Sequence, residues 1–214
     1  MKDVLLLVAR RYNGHELWTA LGVLADAGKT FEVISTDLEV ADELTGRRNV
    51  LERTLDSVDP EKVVDEFNAF MIVSGNMKDT EAYWDDPQAQ ALVRAFDFEK
   101  KPLAAICCSV PSLWQVVEGV QVSFFPLVRS RQKLRLGGAN LSTLTVSVDG
   151  RVVTAENQMA TTMWAEMFVK VLNGEDVTTG LVDSGFTPHG RERKPIAIVE
   201  QIKERRAREN GTDA

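Results

Sequence analysis

Short, uniformly apolar segments alternate along the chain with segments of helical periodicity, and this alternation restricts the fold more than any other feature. Residues 4–9 form a continuous apolar run, and a helical pattern follows over residues 15–27. Further apolar runs cover residues 30–35, 70–74 and 102–106. Strands that are apolar on both sides must be covered on both faces. The pattern predicts an α/β fold with a doubly wound, mostly parallel sheet and helices on both faces.

The remaining patterns fit the same architecture. We predict helices over residues 87–98 and 159–172, a strand over 120–125, a hairpin of residues 144–148 and 152–155 around Asp149-Gly150, and a polar excursion over 36–65 with a short helix after Pro60. The composition changes after Gly174, where turn residues and then charged residues dominate. We therefore divide the chain into an α/β domain, residues 1–174, and a C-terminal extension, residues 175–214, in which residues 194–202 are a candidate strand or short helix.

Length, charge and cysteine usage limit the class of protein. A chain of 214 residues with 44% hydrophobic residues fits one domain with a decorated terminus. A net charge of -7 argues against a nucleic-acid partner. The first apolar run is too short for a membrane span and lacks the flanks of a secretory signal. The only two cysteines are adjacent and give no disulfide framework. We expect reduced thiols, a cytoplasmic location and no membrane association.

The most informative short segment is the end of the fourth apolar run, where Cys107 and Cys108 are followed by a helix-like stretch. A cysteine at a strand-to-helix turn is placed for nucleophilic chemistry, because the helix directs free N–H groups towards a thiolate or an oxyanion. Ligands of doubly wound sheets bind beyond the carboxyl ends of the strands. Glu16 and Gly75 follow two other predicted strands, so Glu16 is the candidate acid/base partner, and the Gly75 and Cys108 amides are candidate oxyanion donors.

The segment Ala104-Ala105-Ile106-Cys107 resembles the nucleophile elbow of the ThiJ/PfpI superfamily, which includes the Parkinson-associated glyoxalase/deglycase-like protein. Further matches follow in the family's order: Leu5 to Val8 with Glu16-Leu17, Val73-Ser74-Gly75-Asn76, Phe125-Pro126-Leu127, Gly137-Gly138 and Asp149-Gly150-Arg151-Val152-Val153-Thr154. The resemblance covers roughly residues 3–174. It implies a flavodoxin-like fold shared with class I glutamine amidotransferases, a homodimer or higher homo-oligomer, and a reaction without cofactor or metal.

Carried over residue by residue, the resemblance makes Cys107 the reactive cysteine, Glu16 the acid that hydrogen-bonds it, and the Gly75 and Cys108 amides the oxyanion donors. The family's usual histidine is missing. Many members place it directly after the nucleophile, where this chain has Cys108, and others place it before the Pro-Leu step, where this chain has Phe125. Proton transfer therefore falls to Glu16. Accessory candidates are His15, Asn76 and Ser109.

The resemblance implies a glyoxalase-like enzyme in which Cys107 attacks a small, electrophilic α-oxoaldehyde-like substrate and Glu16 moves protons. One alternative is a non-enzymatic redox sensor or chaperone that uses oxidation of Cys107. Another is an isocyanide hydratase-like enzyme or other small-molecule hydratase or hydrolase.

Several other residues have two interpretations. A metal site is disfavoured because adjacent cysteines lack chelate spacing. Aromatic residues near helices are core residues or walls of a pocket above the cysteine; these are Tyr83, Trp84 and Trp114. A basic run forms a solvated face or an anion site; it consists of Arg129, Arg131, Lys133 and Arg135.

Overall fold

The computed structural model describes residues 1–177. The elements run, in chain order, β1 (Lys2–Val8), β2 (Arg11–Tyr12), α1 (Gly14–Asp26), β3 (Phe31–Ser35), β4 (Glu39–Asp42), β5 (Arg48–Val50), β6 (Arg53–Thr54), α2 (Pro60–Glu66), β7 (Phe67–Val73), α3 (Met77–Ala82), α4 (Pro87–Phe98), β8 (Leu103–Ile106), β9 (Gln121–Val122), α5 (Val128–Leu136), β10 (Asn140–Leu141), β11 (Val146–Asp149), β12 (Val152–Ala155) and α6 (Thr161–Leu172). Short 3-10 helices occupy Leu55–Ser57, Cys107–Leu113 and Gln158–Ala160. None of these helices is long and apolar enough to cross a membrane.

A seven-stranded sheet forms the centre, with the order β11-β12-β8-β7-β1-β3-β6. All neighbours are parallel except β11, which runs antiparallel to β12. The chain passes from β1 to β3 on one side and then returns to β7 on the other side of β1. This is the flavodoxin-like strand order, and its switch point lies between β1 and β7. The predicted α/β, doubly wound fold is confirmed.

The two faces of the sheet have separate hydrophobic cores, because successive side chains of a strand point to opposite faces. Leu5 and Leu7 belong to the core covered by α2 and α4, whereas Val4, Leu6 and Val8 belong to the core covered by α1 and α6. All five side chains are completely buried. Full burial of such a side chain stabilises the fold by roughly 1.5–3 kcal/mol, which is why both faces of β1 are apolar.

The structure differs from the sequence-based predictions in a few elements. β7 begins at Phe67, three residues before the predicted strand. The predicted strand over residues 120–125 is reduced to β9, which pairs with β10 outside the main sheet. The stretch after Ile106 is a 3-10 helix rather than an α-helix, and Pro111 lies inside it; proline has no N–H to give to an α-helical ladder. The excursion forms β4, β5, β6 and α2.

The last helix of the described residues, α6, ends at Leu172. Residues 178–214 lie outside the described part of the chain, and so does the candidate element over residues 194–202. The domain division and the role of the extension therefore stay predictions.

Candidate active site

The carboxyl ends of β1, β7 and β8 lie side by side. The register pairs Val8 with Val73 and Ile72 with Ala105, so all three strands end at the same edge of the sheet. The chain then leaves these strands through three segments: the start of α1 with Glu16, the turn Ser74-Gly75-Asn76, and the elbow at Cys107 and Cys108. The structure thus brings together the three segments that the sequence singled out.

Cys107 stands directly after β8 with a positive φ of 58°. A non-glycine residue in this region is uncommon and costs roughly 1–3 kcal/mol. Ser109 holds the turn: its fully buried Oγ accepts from the Ile106 N–H at 3.1 Å and lies 2.8 Å and 2.7 Å from the carbonyl oxygens of Ile72 and Ile106. The half-buried Cys107 side chain is therefore presented at the sheet edge by a strained backbone. Ser109 is a support of the elbow.

Glu16 is completely buried on the first turn of α1. The helix begins there because the side chain of Asn13 accepts a hydrogen bond from the Glu16 N–H at 3.2 Å. Oε2 of Glu16 accepts two hydrogen bonds from Ser74, from its N–H at 3.0 Å and from its Oγ at 2.6 Å. Oε1 is buried without a hydrogen-bond partner. The predicted hydrogen bond between Glu16 and Cys107 is therefore absent from this structure. Ser74 takes up Oε2, and no donor reaches Oε1.

Burial raises the pKa of Glu16 to about 8, against the lowering effect of the Ser74 hydrogen bonds. The neighbouring Cys108 also raises the pKa of Glu16, because a carboxylate is disfavoured next to a thiolate of the same charge. Most Glu16 side chains are therefore neutral acids at pH 7. A neutral carboxyl can donate a proton, and after ionisation it can accept one.

The two thiols ionise as a pair. The pKa of Cys108 is lowered to about 7, because the Cys107 thiol donates a hydrogen bond to it. The pKa of Cys107 is raised mainly because its ionisation would break that hydrogen bond. Burial and the charge of Glu16 raise it further. The pair therefore carries one negative charge near neutral pH, which is held mainly by Cys108, while Cys107 keeps its proton.

Gly75 has no room for a side chain, because a Cβ would lie 2.0 Å from the Arg11 carbonyl oxygen. Its N–H donates to Oγ1 of Thr80 at 3.0 Å, and the Thr80 hydroxyl in turn donates to the Asn76 carbonyl. This corrects the predicted role of the Gly75 amide, since an oxyanion would have to displace the Thr80 hydroxyl. The Gly75 carbonyl accepts from the Cys108 thiol at 3.8 Å. The Cys108 amide, at the start of the 3-10 helix, stays the oxyanion candidate.

The other accessory candidates lie away from the thiols. His15 is exposed, although it neighbours the buried Glu16 in α1, because consecutive helical residues point in different directions. Asn76 caps α3 by accepting from the Lys78 N–H, and its side chain also accepts from Arg11 and donates to Glu43. Asn76 therefore fixes the turn from its outer side.

Ser74 and Thr80 are site residues that the sequence did not reveal. Both side chains are buried, and their hydroxyl groups complete the hydrogen bonds of Glu16 and of the turn. The signal for Ser74 was present in the sequence, since a polar residue directly follows the apolar run of residues 69–73. Its partner could be identified only from the packing of α1 against that strand end.

Tyr83 and Trp84 are buried, Trp114 is half-buried, and all three brace the loops of the site by hydrogen bonds. Trp84 Nε1 donates to the Cys108 carbonyl at 2.9 Å, and Trp114 Nε1 donates to the Trp84 carbonyl at 2.9 Å. The Tyr83 hydroxyl donates to the carbonyl of Val8. These hydrogen bonds join the elbow to the surrounding loops, and they explain why large side chains with polar ends stand here.

The basic run lies on α5, and two of its cations are paired. Arg129 forms an ion pair of 2.5 Å with Glu81, and Lys133 pairs with Asp85. Separately, a polar cavity of about 450 Å³ is lined by residues of β2, β4, β5 and α3, among them Arg11 and Asp79. Neither Glu16 nor either cysteine lines that cavity. Within residues 1–177, no group of three or more histidine, cysteine or acidic residues could hold a metal ion.

Comparisons with known proteins concern the family and the fold. The sequence model of the DJ-1/PfpI family matches residues 2–171. The uncharacterized protein MJ0967 of Methanocaldococcus jannaschii is 26% identical over 158 residues, which cover 73% of this chain and 75% of the relative. A ThiJ/PfpI domain protein from Brachyspira murdochii has a similar structure, with a TM-score of 0.70, 24% identity and coverage of 80% and 96% of the two chains. Schizosaccharomyces pombe DJ-1 has a TM-score of 0.65 and 14% identity, with coverage of 82% and 100%.

Proposed function

Because the chain belongs to the DJ-1/PfpI family, we propose that it is a cofactor-independent enzyme that uses Cys107 to act on a small electrophilic carbonyl compound of the α-oxoaldehyde type. One observation carries the proposal: a completely buried Glu16, neutral at pH 7, lies at the same sheet edge as a half-buried cysteine with a positive φ. Perturbed acids and strained nucleophiles of this kind are typical of catalytic sites.

The proposed reaction begins when Cys107 passes its proton to the Cys108 thiolate and its sulfur adds to the aldehyde carbon. A carbon–sulfur bond forms while Glu16 gives its proton to the carbonyl oxygen, and the product is a hemithioacetal. As a carboxylate, Glu16 then removes the hydrogen from the carbon that bears sulfur and returns it to the adjacent carbon, while the hydroxyl proton passes to the former ketone oxygen. Water finally cleaves the resulting thioester and releases a 2-hydroxy acid. The aldehyde is oxidised and the ketone reduced within one molecule, so no external oxidant is consumed.

Cys108 supports this chemistry at the position where other members have histidine. The thiols share one charge near neutral pH, so Cys108 can hold the proton of Cys107 as Cys107 attacks. The buried Cys108 side chain is the less accessible of the two, and the half-buried Cys107 meets the substrate. The Cys108 amide then supports the developing oxyanion at the start of the 3-10 helix.

Conversion of methylglyoxal to lactate tests the proposal. Cys107→Ser and Glu16→Gln should each lower kcat/KM by roughly 100-fold or more, which is the usual effect of losing a nucleophile or an acid/base group. Glu52→Gln removes an exposed carboxylate in a loop and should leave the rate unchanged. Activity that survives both site substitutions would refute the mechanism. An isocyanide in the same panel would reveal hydratase chemistry.

A redox-sensing role is the second candidate, and the shared charge of the adjacent thiols favours it. In that reaction the Cys107 thiolate attacks one oxygen of hydrogen peroxide, hydroxide leaves, and a sulfenic acid forms; a second peroxide gives the sulfinic acid. Mass spectrometry after mild peroxide treatment should find added oxygen on Cys107. Oxidation of Cys107 only in the denatured protein would exclude this role.

A further inference from the structure

The hydrogen bonds of Glu16 are unequal. Ser74, at the end of β7 and 2% exposed, gives both its N–H and its O–H to Oε2, at 3.0 Å and 2.6 Å. Oε1 is equally buried and has no partner. A buried polar atom without a partner is costly, so its presence requires an explanation.

A neutral carboxyl has one oxygen that only accepts hydrogen bonds and one that carries the proton and donates. An oxygen that already faces two donors is unfavourable for the proton, because a third hydrogen would be crowded against those of Ser74. The acidic hydrogen is therefore excluded from Oε2 and placed on Oε1. In the free protein that O–H has no acceptor.

We propose that Ser74 is a positioning residue that fixes the acidic proton of Glu16 on Oε1, where it can be delivered to a carbonyl oxygen bound next to Cys107. This inference rests on the proposed function for its substrate, but its structural content concerns Glu16 and Ser74 alone. The hydroxyl is the decisive group, because the backbone N–H alone leaves Oε2 with a single donor.

The test compares Ser74→Ala with Ser130→Ala. The Ser130 side chain is also buried, but it lies on α5, and its Oγ has no hydrogen-bond partner. Two readouts are measured: kcat/KM for methylglyoxal across pH, and titration of the Glu16 carboxyl by carbon-13 NMR of glutamate-labelled protein. Because the hydroxyl stabilises the ionised carboxyl, Ser74→Ala should raise the pH at which Glu16 titrates by about one unit. It should also lower kcat/KM by roughly 10- to 100-fold at neutral pH.

Ser130→Ala should change neither readout. A Ser74→Ala protein in which Glu16 titrates as in the wild type would overturn the proposal, and so would a shifted titration with unchanged kcat/KM in an active enzyme. If the wild type does not turn over methylglyoxal while the titration still shifts, the proposed function fails but the positioning of Glu16 by Ser74 stands. A purely structural effect is recognised because unfolding would move all glutamate signals together to their random-coil positions, whereas the proposal moves only the titration of Glu16.

Discussion

Replacing Glu16 by glutamine should stabilise the protein increasingly as the pH rises. The pKa of Glu16 in the folded state is about 8, above its ordinary value of 4.5. The folded state therefore holds this proton more tightly than the unfolded state does, and the contribution of Glu16 to stability is complete below pH 4.5 and lost as the pH rises to about 8. The full loss is roughly 5 kcal/mol, from about 1.4 kcal/mol for each pH unit.

Glutamine does not titrate, so the variant avoids this loss. Between pH 5 and pH 8 the free energy of unfolding of Glu16→Gln should rise by about 3 to 4 kcal/mol relative to that of the wild type. Any constant cost of burying the amide in the space of Oε1 cancels in this comparison, because it does not depend on pH.

Urea unfolding followed by circular dichroism at pH 5, 6, 7 and 8 measures the difference. Glu52→Gln, in an exposed loop position, serves as the control for the loss of a negative charge. If the free energies of unfolding of Glu16→Gln and wild type differ by the same amount at pH 5 and pH 8, burial does not raise the pKa of Glu16 and the reasoning fails.

Three further predictions concern the turn, the elbow and the reaction. Gly75→Ala should destabilise the protein by several kcal/mol in urea unfolding, because the new Cβ would lie 2.0 Å from the Arg11 carbonyl oxygen. Gly22→Ala is the control: it lies inside α1 with no heavy atom within 4 Å of the new Cβ, and it should stabilise the protein by about 1 kcal/mol. Equal effects of the two substitutions on the free energy of unfolding would contradict this prediction. Ser109→Ala should cost about 1–3 kcal/mol by leaving the Ile106 N–H unpaired, and an unchanged urea midpoint would argue against its role in the elbow. The pH profile of kcat/KM for methylglyoxal should be bell-shaped with a maximum between pH 7 and 8, because the reaction needs an ionised thiol pair and a neutral Glu16; a rate that keeps rising above pH 9 would contradict it.

The central fold was predictable because its signal is local and repeated. Apolar runs such as β1 and β8 can be satisfied only inside a sheet covered on both faces, and parallel pairing then brings their carboxyl ends together. The convergence of Glu16 and Cys107 follows from that arrangement. The hairpin at Gly150 was predictable for a similar reason, since Asp149-Gly150 specifies the turn.

The hydrogen bonds inside the site were not predictable. Which group binds the Glu16 carboxyl depends on how α1 packs over the end of β7, and Ser74 takes that place. The Gly75 amide is bound by Thr80 from a helix that the sequence did not predict. The 3-10 form of the segment after Ile106 likewise depends on a tertiary contact, the hydrogen bond from Ser109 to the neighbouring strand.

The most direct test of the account is to identify which of the two adjacent thiols reacts. Brief treatment of the native protein with substoichiometric iodoacetamide near pH 7.5, followed by peptide mapping, reports the site of modification, and pretreatment with methylglyoxal reports protection. We expect the label on Cys107, with protection by methylglyoxal, because Cys107 is the more accessible thiol and can pass its proton to the Cys108 thiolate as it reacts, whereas Cys108 is buried. Label confined to Cys108, or a Cys107 that reacts only after unfolding, would contradict the assignment of Cys107 as the nucleophile.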